Sequence, residues 1–329
     1  MRALVRSRYG APTDVLSVEE VDTPHPGDGD VLIRVKASSI NPADWHIVRG
    51  DPRVARLEMG LRAPKRPIPG YDVVGEVVEV GAGVDRLSVG QRVIAYADAQ
   101  YLGAFAEFVS LPHDVVVPID ASVAEHDAAA LPLAGCTALD AVRDRSGVGA
   151  GGRLLVVGGS GGIGHLAVQI AKDLDIEVTA TCSAHNVEMV ESLGADHVVD
   201  HSSIPVEHWG SGFDAAIQLG GTASFGQLRR LVRRDGAVMP INGDGGGSLF
   251  GPIPRLFSGV FTAPFVPQRW VTFTNRPTVE QLTTIATMAS DGRLRSVVSN
   301  VVSLADAPAV IEASEAGHAT GKTVVSIDD

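Results

Sequence analysis

Arg153 to Ser183 reads RLLVVGGSGGIGHLAVQIAKDLDIEVTATCS, and this stretch decides the fold. Leu154 to Val157 is a short apolar run, Ile163 to Lys172 repeats apolar residues at helical spacing, and Val178 to Thr181 is a second strand-like run. Between the first strand and the helix, Gly159, Gly161 and Gly164 form G-x-G-x-x-G. The three glycines respectively permit a tight turn, a close approach of backbone to a pyrophosphate, and close packing of helix on strand. The unpaired amides and positive dipole end of the helix then attract phosphate charge. The stretch reads as a dinucleotide site in its proper strand–turn–helix context.

Outward from this centre the chain changes character. Met1 to about Asp120 alternates apolar and polar residues in short runs, such as Val31–Ala37 and Val73–Val80, with Pro and Gly punctuation between them. This predicts a β-rich first domain forming a partly closed barrel. From about Ser122, helix and strand signals take turns: a helix over Ala124–Arg143, strands at His197–Val199, Asp214–Leu219 and Ala237–Ile241, and helices at Val187–Leu193, Ser224–Val232 and Val279–Ser290. Val297–Val302 and Thr323–Ile327 read as final strands. The alternation predicts an α/β fold with a doubly wound parallel Rossmann sheet.

Composition narrows the chemistry. The 329 residues suit two domains with ample apolar content for both cores. With 27 basic and 39 acidic side chains the net charge is -12, which opposes a nucleic-acid backbone and an anionic membrane surface and favours a small-molecule partner. Cys136 and Cys182, the only cysteines, lack the spacing of a zinc site or disulfide framework, which fits a reducing cytoplasm. No signal-peptide h-region opens the chain and no apolar run is long enough to span a bilayer, so a cytoplasmic location is expected.

Six stretches occur together in one order: PGDGDVLIRVKASSINPADWHIVRG (Pro26–Gly50), PIPGYDVVGEVVEVGAGVDRLSVGQRV (Pro67–Val93), LPLAGCTALDAV (Leu131–Val142), the glycine fingerprint, LGADHVVDH (Leu193–His201) and GHATGKTVVSI (Gly317–Ile327). In this order, nearly end to end, the chain resembles the medium-chain dehydrogenase/reductase superfamily, in its zinc-free quinone oxidoreductase-like branch. The resemblance implies a GroES-like catalytic domain over residues 1–120, an NAD(P)-binding Rossmann domain over 121–269, and a return to the catalytic domain over 270–329. It also implies an active site in the cleft between the domains and a homodimer paired through an edge strand of the cofactor domain.

Zinc-dependent members of that superfamily hold their catalytic metal at three positions that match Asn41, Tyr71 and Leu133 here. An amide, a phenol and an aliphatic are poor zinc ligands, and the Cys-rich structural-zinc loop is missing between Val93 and Val115. No metal is therefore expected. Without a Lewis acid to stabilise an alkoxide, oxidation of a saturated alcohol is disfavoured. Quinones and α,β-unsaturated carbonyls, which accept hydride directly, become the expected apolar acceptors. They need a hydrogen-bond donor aimed at the oxygen that gains charge. Asn41, Tyr71 and Trp45 are the candidate catalytic donors, with His46 more plausibly a loop histidine, and Asp44 and Asp72 fixing neighbouring loops.

An NAD-selective site carries Asp or Glu at the end of the second strand, whereas this one ends in Thr181-Cys182-Ser183. Relatives often place a basic residue two positions after that serine and a tyrosine after the GADHVVD run; His185 and His201 stand there instead. NADPH is the expected cofactor, with NADH possible, and its 2'-phosphate would meet Ser183 and two titratable imidazoles. Its affinity should then strengthen as the pH falls and the imidazoles gain charge. By resemblance, Asn41 and Thr137 approach the nicotinamide end, and Ser160, Gly161, Gly162 and Ile163 cradle the pyrophosphate. Leu219 and Gly220 border the adenine, Ile241, Asn242 and Gly243 border the nicotinamide ribose, and Phe273 and Lys322 close the cleft. A lysine so near the end of a chain is ordinarily a solvated charge.

Leu249–Phe273 holds five of the nine Phe residues and reads as a lid, a dimer contact or interdomain packing. Two other functions compete. Gly158-Gly-Ser160-Gly-Gly162 also satisfies the G-x-S-x-G elbow of a serine hydrolase, with His318 as a late partner. An NADPH-binding sensor or scaffold with little turnover is the other, because no indispensable catalytic side chain is visible.

Overall fold

The apolar runs become strands at nearly the expected residues. In the computed structural model, which describes residues 1–241, 266–273, 276–317 and 319–327, a short antiparallel ladder pairs β1 (Arg2–Arg6) with β2 (Leu16–Glu20). The main antiparallel sheet is built on β3 (Asp30–Ser39), whose alternate residues Val31, Ile33, Val35 and Ala37 are fully buried, as the two-residue period of a strand requires. One edge of β3 carries β4 (Asp72–Val80), followed by β5 (Arg92–Tyr96) and β7 (Val116–Pro118). Its other edge is shared. β6 (Phe108–Pro112) pairs Asp30–Arg34, and β15 (Lys322–Ser326) pairs Ala37–Ser39, with β14 (Val298–Ser303) parallel beyond it. The hydrogen-bonded path stays open among the described residues. The C-terminal strands thus rejoin the β-rich N-terminal part.

The second sheet is wholly parallel. β8 (Arg153–Val157), β9 (Glu177–Cys182), β10 (His197–Asp200), β11 (Phe213–Gln218), β12 (Val232–Pro240) and β13 (Arg269–Trp270) lie in the order β10-β9-β8-β11-β12-β13. β8 and β9 are buried almost throughout, as parallel strands covered on both faces must be. The strand order reverses at β8, and a ligand crevice belongs at the carboxyl end of such a switch point. The fold is an α/β chain with a Rossmann-like sheet and a separate GroES-like β-rich domain.

Three helical features differ from the sequence reading. The helix expected over Ala124–Arg143 breaks into Glu125–Ala129 and Pro132–Leu139, because Pro132 has no amide hydrogen and starts a helix more readily than it continues one. Asn41, read as a candidate catalytic donor, also caps a helix at Pro42–Arg49 that the sequence reading did not expect. Pro42 opens it, Asp44 Oδ2 accepts the Asn41 amide hydrogen at 2.7 Å, and Gly50 closes it with φ of 61°. Ala307–Ala313 forms a further helix. Val279–Ser290 is a helix as expected, held at its start by a reciprocal Thr278–Gln281 capping box. It packs on Pro132–Leu139, where a Cβ on Gly135 would lie 3.0 Å from Ile285.

No helix among the described residues is long and apolar enough to cross a membrane. Asn242, Gly243, His318 and residues 249–265, including Phe257 and Phe261, lie outside the described residues.

Candidate functional site

The end of β8 turns sharply. Gly158 adopts φ of 90°, and the Gly158 and Gly159 amides donate to Thr181 O at 3.2 and 2.8 Å. A Cβ on Gly159 would lie 2.8 Å from Ala180 Cβ, and one on Gly164 would lie 2.0 Å from Gly158 O. The fold itself therefore demands these two glycines. Gly161 differs, since a Cβ there would meet nothing nearer than Gly158 O at 3.4 Å. Packing does not require a glycine at this position, and the bare main chain leaves room for the close approach expected of a pyrophosphate. The helix Gly164–Asp173 starts here, with the His165 amide donating to Gly161 O at 3.2 Å and the Leu166 and Ala167 amides to Ile163 O at 3.2 and 2.9 Å. Buried His165, which the sequence reading did not single out, donates Nδ1–H to Gly161 O at 2.9 Å. Burial lowers its pKa to about 4, partly opposed by the Gly161 carbonyl and reinforced by the Lys322 charge, so the imidazole stays neutral.

Around this turn the sheet gathers the other expected cofactor residues. Leu219 N donates to Val157 O at 2.9 Å, Gly220 N would lie 3.1 Å from a Cβ on Gly158, and Ile241 N donates to Gln218 O at 2.9 Å. All three sit at the carboxyl ends of neighbouring strands. At the end of β9, Ser183 Oγ lies 3.5 Å from His201 Nε2, and exposed His185 sits in the turn Ala184–Asn186 that follows. The nearby Asp200 carboxylate accepts hydrogen bonds from Ser202 and Ser203. Ser183 and His201 are brought together, with His185 on the adjoining turn.

The opposite wall is organised by a residue the sequence reading treated as a loop anchor. Asp72, fully buried at the start of β4, accepts Asn41 Nδ2–H at 2.8 Å, Ser39 Oγ–H at 2.5 Å and the Leu133 amide at 2.8 Å. Two of the three former metal positions thus converge on one carboxylate, and the third, Tyr71, is its chain neighbour. Asn41 gives its other amide hydrogen to Ser39 O at 3.2 Å, and its Oδ1 accepts from Lys322 Nζ at 2.5 Å. Both Asn41 hydrogens are committed within the protein, which leaves no N–H to aim at a substrate oxygen. Thr137 Oγ1 donates to Leu133 O at 2.7 Å one turn along the same helix.

Lys322 is not the solvated charge its position near the end of the chain implied. It is 4% exposed, donates to Ile40 O at 3.1 Å as well as to Asn41, and lies 3.7 Å from Asp72 Oδ2. Burial lowers its pKa, while Asp72 and Asp44 hold it up. Sequence offered little warning, because the partners come from β3, β4 and the region before Pro42.

Tyr71 packs its ring parallel to Tyr96, with centroids 5.7 Å apart, and its hydroxyl makes no hydrogen bond among the described residues. Burial raises its pKa, so it stays a phenol able to donate. Trp45 stacks on His46 at 3.5 Å, and His46 Nδ1 is engaged with Asp51 O at 2.9 Å. The Phe273 ring lies beneath the Arg145 guanidinium at 4.5 Å.

A zinc ion does not fit this corner. The Asn41 oxygen already faces an ammonium, Leu133 offers only its backbone, and no group of three potential ligands occurs among the described residues. Lys322 supplies the positive charge here. The bare main-chain turn at Gly158–Gly164, by contrast, fits a dinucleotide.

Comparison with known proteins identifies the family. Residues 27–121 match the alcohol dehydrogenase GroES-like domain, and residues 193–325 match a domain described as zinc-binding dehydrogenase. The chain is 33% identical to the chloroplast envelope quinone oxidoreductase homolog of Arabidopsis thaliana, covering 99% of this chain and 98% of that protein. It is 32% identical to an Arabidopsis NADPH-dependent alkenal/one oxidoreductase of the chloroplast, over 74% of this chain and 63% of the relative. The solved quinone oxidoreductase of Coxiella burnetii superposes with a TM-score of 0.87 at 27% identity, covering 99% of each chain. The cytoplasmic expectation gains no support from relatives named for the chloroplast. The serine-hydrolase alternative at Ser160 falls with the family. The chain belongs to the medium-chain dehydrogenase/reductase superfamily, in its quinone oxidoreductase-like branch of nicotinamide-dependent oxidoreductases.

Proposed function

We propose that the chain is an NADPH-dependent, zinc-independent reductase that transfers hydride to a quinone or an α,β-unsaturated carbonyl. The observation that carries this reading is the Asn41–Lys322–Asp72 network, which fills the metal corner of a cleft whose other wall is a dinucleotide turn. The names of the relatives, a quinone oxidoreductase homolog and an alkenal/one oxidoreductase, point to the same acceptors.

When bound, the reduced nicotinamide supplies the hydride. The chain's residues do the rest. Ser160 to Ile163 and the helix start hold the diphosphate, Thr137 approaches the nicotinamide end, Ile241 borders the nicotinamide ribose, and Phe273 closes the cleft. Tyr71 donates its uncommitted hydroxyl hydrogen to the acceptor oxygen as negative charge grows there, with Trp45 beside the pocket. Its high pKa suits a donor that stabilises charge without losing its own proton, so the proton that completes the hydroquinone or ketone comes from solvent. Asn41 serves by holding the wall in place.

The choice of NADPH rests on Ser183, His185 and His201, which offer hydrogen bonds to a 2'-phosphate at a strand end without a carboxylate of its own. The subunit pairs with a second copy through an edge strand of the cofactor domain, and sedimentation tests whether the chain is a dimer. The enzymatic test is consumption of NADPH and NADH against a panel of naphthoquinones and enones. Turnover with NADPH preferred supports the reading. Tight NADPH binding without turnover across the panel replaces it with a cofactor-binding sensor.

A further inference from the structure

Lys322 stands where the cofactor turn, the acceptor wall and the C-terminal strand meet. Just before it, Gly321 N–H donates to Ser160 O at 2.8 Å, and Lys322 N–H donates to Val297 O at 2.8 Å. Gly321 adopts φ of 57°, and a Cβ there would lie 2.1 Å from Val297 O, so the backbone has one place to sit. The lysine stem runs past Gly162, where a Cβ would lie 3.2 Å from Lys322 Cδ. Its ammonium ends between Ile40 O, Asn41 Oδ1 and Asp72.

We infer that Lys322 is a positioning residue that ties the phosphate-binding turn to the acceptor wall through Asn41 and Asp72, and that its ammonium does not bind the cofactor phosphates. The Lys322 bond to Asn41 Oδ1 decides which way that amide faces, and so turns Nδ2 toward Asp72 and Ser39. Asp72 in turn receives the Leu133 amide and orients the helix that carries Thr137. One unbroken line of contacts therefore runs from Ser160 and Gly162 through Lys322, Asn41 and Asp72 to Leu133. An ammonium that left this line to reach a diphosphate would remove the nearby positive charge from the buried Asp72 carboxylate and the donor from the buried Asn41 amide oxygen, which is unfavourable.

The kinetic arm of the test rests on the proposed reductase activity; the binding and melting arms do not. In the full chain, Lys322→Met should leave the NADPH dissociation constant within about threefold while lowering kcat with a naphthoquinone by roughly thirtyfold or more. A direct phosphate contact predicts the reverse, with affinity weakened about tenfold or more and kcat nearly kept, and would overturn the inference. Without cofactor, the stability losses of Lys322→Met and Asn41→Ala should overlap, so that the double variant melts within about 2 °C of the weaker single variant. Additive losses contradict the coupling. Should Lys322→Met fail to fold, Asn41→Ala must alone reproduce the fall in kcat with NADPH affinity kept, and an unchanged kcat overturns the inference. If the native protein shows no turnover, the reductase reading fails, and cofactor affinity with the melting cycle still decides the role of Lys322.

Discussion

Asp44 makes the stability of the chain depend on pH in a direction opposite to that of most acidic residues. It is completely buried, its Oδ2 takes the Asn41 amide hydrogen, and its Oδ1 has no hydrogen-bond partner among the described residues. Burial raises its pKa to about 8, partly offset by the Asn41 N–H, pushed further by Asp72, and lowered by Lys322 and Arg6. In the unfolded chain the same carboxyl titrates near pH 4. Between these values the native protein holds a proton that the unfolded chain has lost. Stability is therefore greatest below about pH 4 as far as Asp44 is concerned, and falls by roughly 1.4 kcal/mol per pH unit as the pH rises toward 8. Over two pH units inside that window the loss is about 3 kcal/mol, or some 6 °C of melting temperature at roughly 2 °C per kcal/mol for a chain of this size. Asp44→Asn keeps an acceptor for the Asn41 amide and removes the titration. Thermal melts of both proteins between about pH 5.5 and 7.5 should diverge, with the native chain losing more stability on the alkaline side. Parallel curves would refute the buried, protonated state of Asp44.

Tyr71→Phe should lower kcat with a naphthoquinone by about tenfold to a hundredfold while the melting temperature and NADPH affinity stay near those of the native chain, as steady-state kinetics and melts can check. His201→Ala should weaken NADPH by about fivefold or more and leave NADH almost unchanged in fluorescence titrations; equal losses would remove the 2'-phosphate assignment. Prolonged chelation should not reduce quinone turnover, and added zinc should not raise it, because Lys322 already occupies the cation's corner.

The parallel sheet was the most legible part of this chain. β8, β9 and the helix Gly164–Asp173 are continuous apolar or periodic runs, and Gly159, Gly161 and Gly164 stand in a recognisable spacing, each with its nearest contact inside this strand–helix–strand unit. The break at Pro132 and the helix at Pro42 were also written locally, each in a proline that opens a helix. The acceptor wall was less accessible. Its logic joins Ser39, Asn41, Asp72, Leu133 and Lys322, with Asn41 and Lys322 281 residues apart, and no local period reveals that a strand-leading aspartate and a late lysine are buried together. Family resemblance named Asn41 and Tyr71 as positions that matter. The hydrogen bonds divide them, committing Asn41 to the scaffold and leaving the Tyr71 hydroxyl available.

The central claim is that bare main chain at Gly158–Gly164 receives the cofactor diphosphate. Gly161→Ala tests it most directly, because a methyl group there is tolerated by the fold, with its nearest neighbour 3.4 Å away, yet stands in the path of the phosphates. Titration of NADPH against native and Gly161→Ala protein should show affinity falling by about tenfold or more at an unchanged melting temperature. Affinity equal to that of the native chain in a normally folded variant would contradict the account.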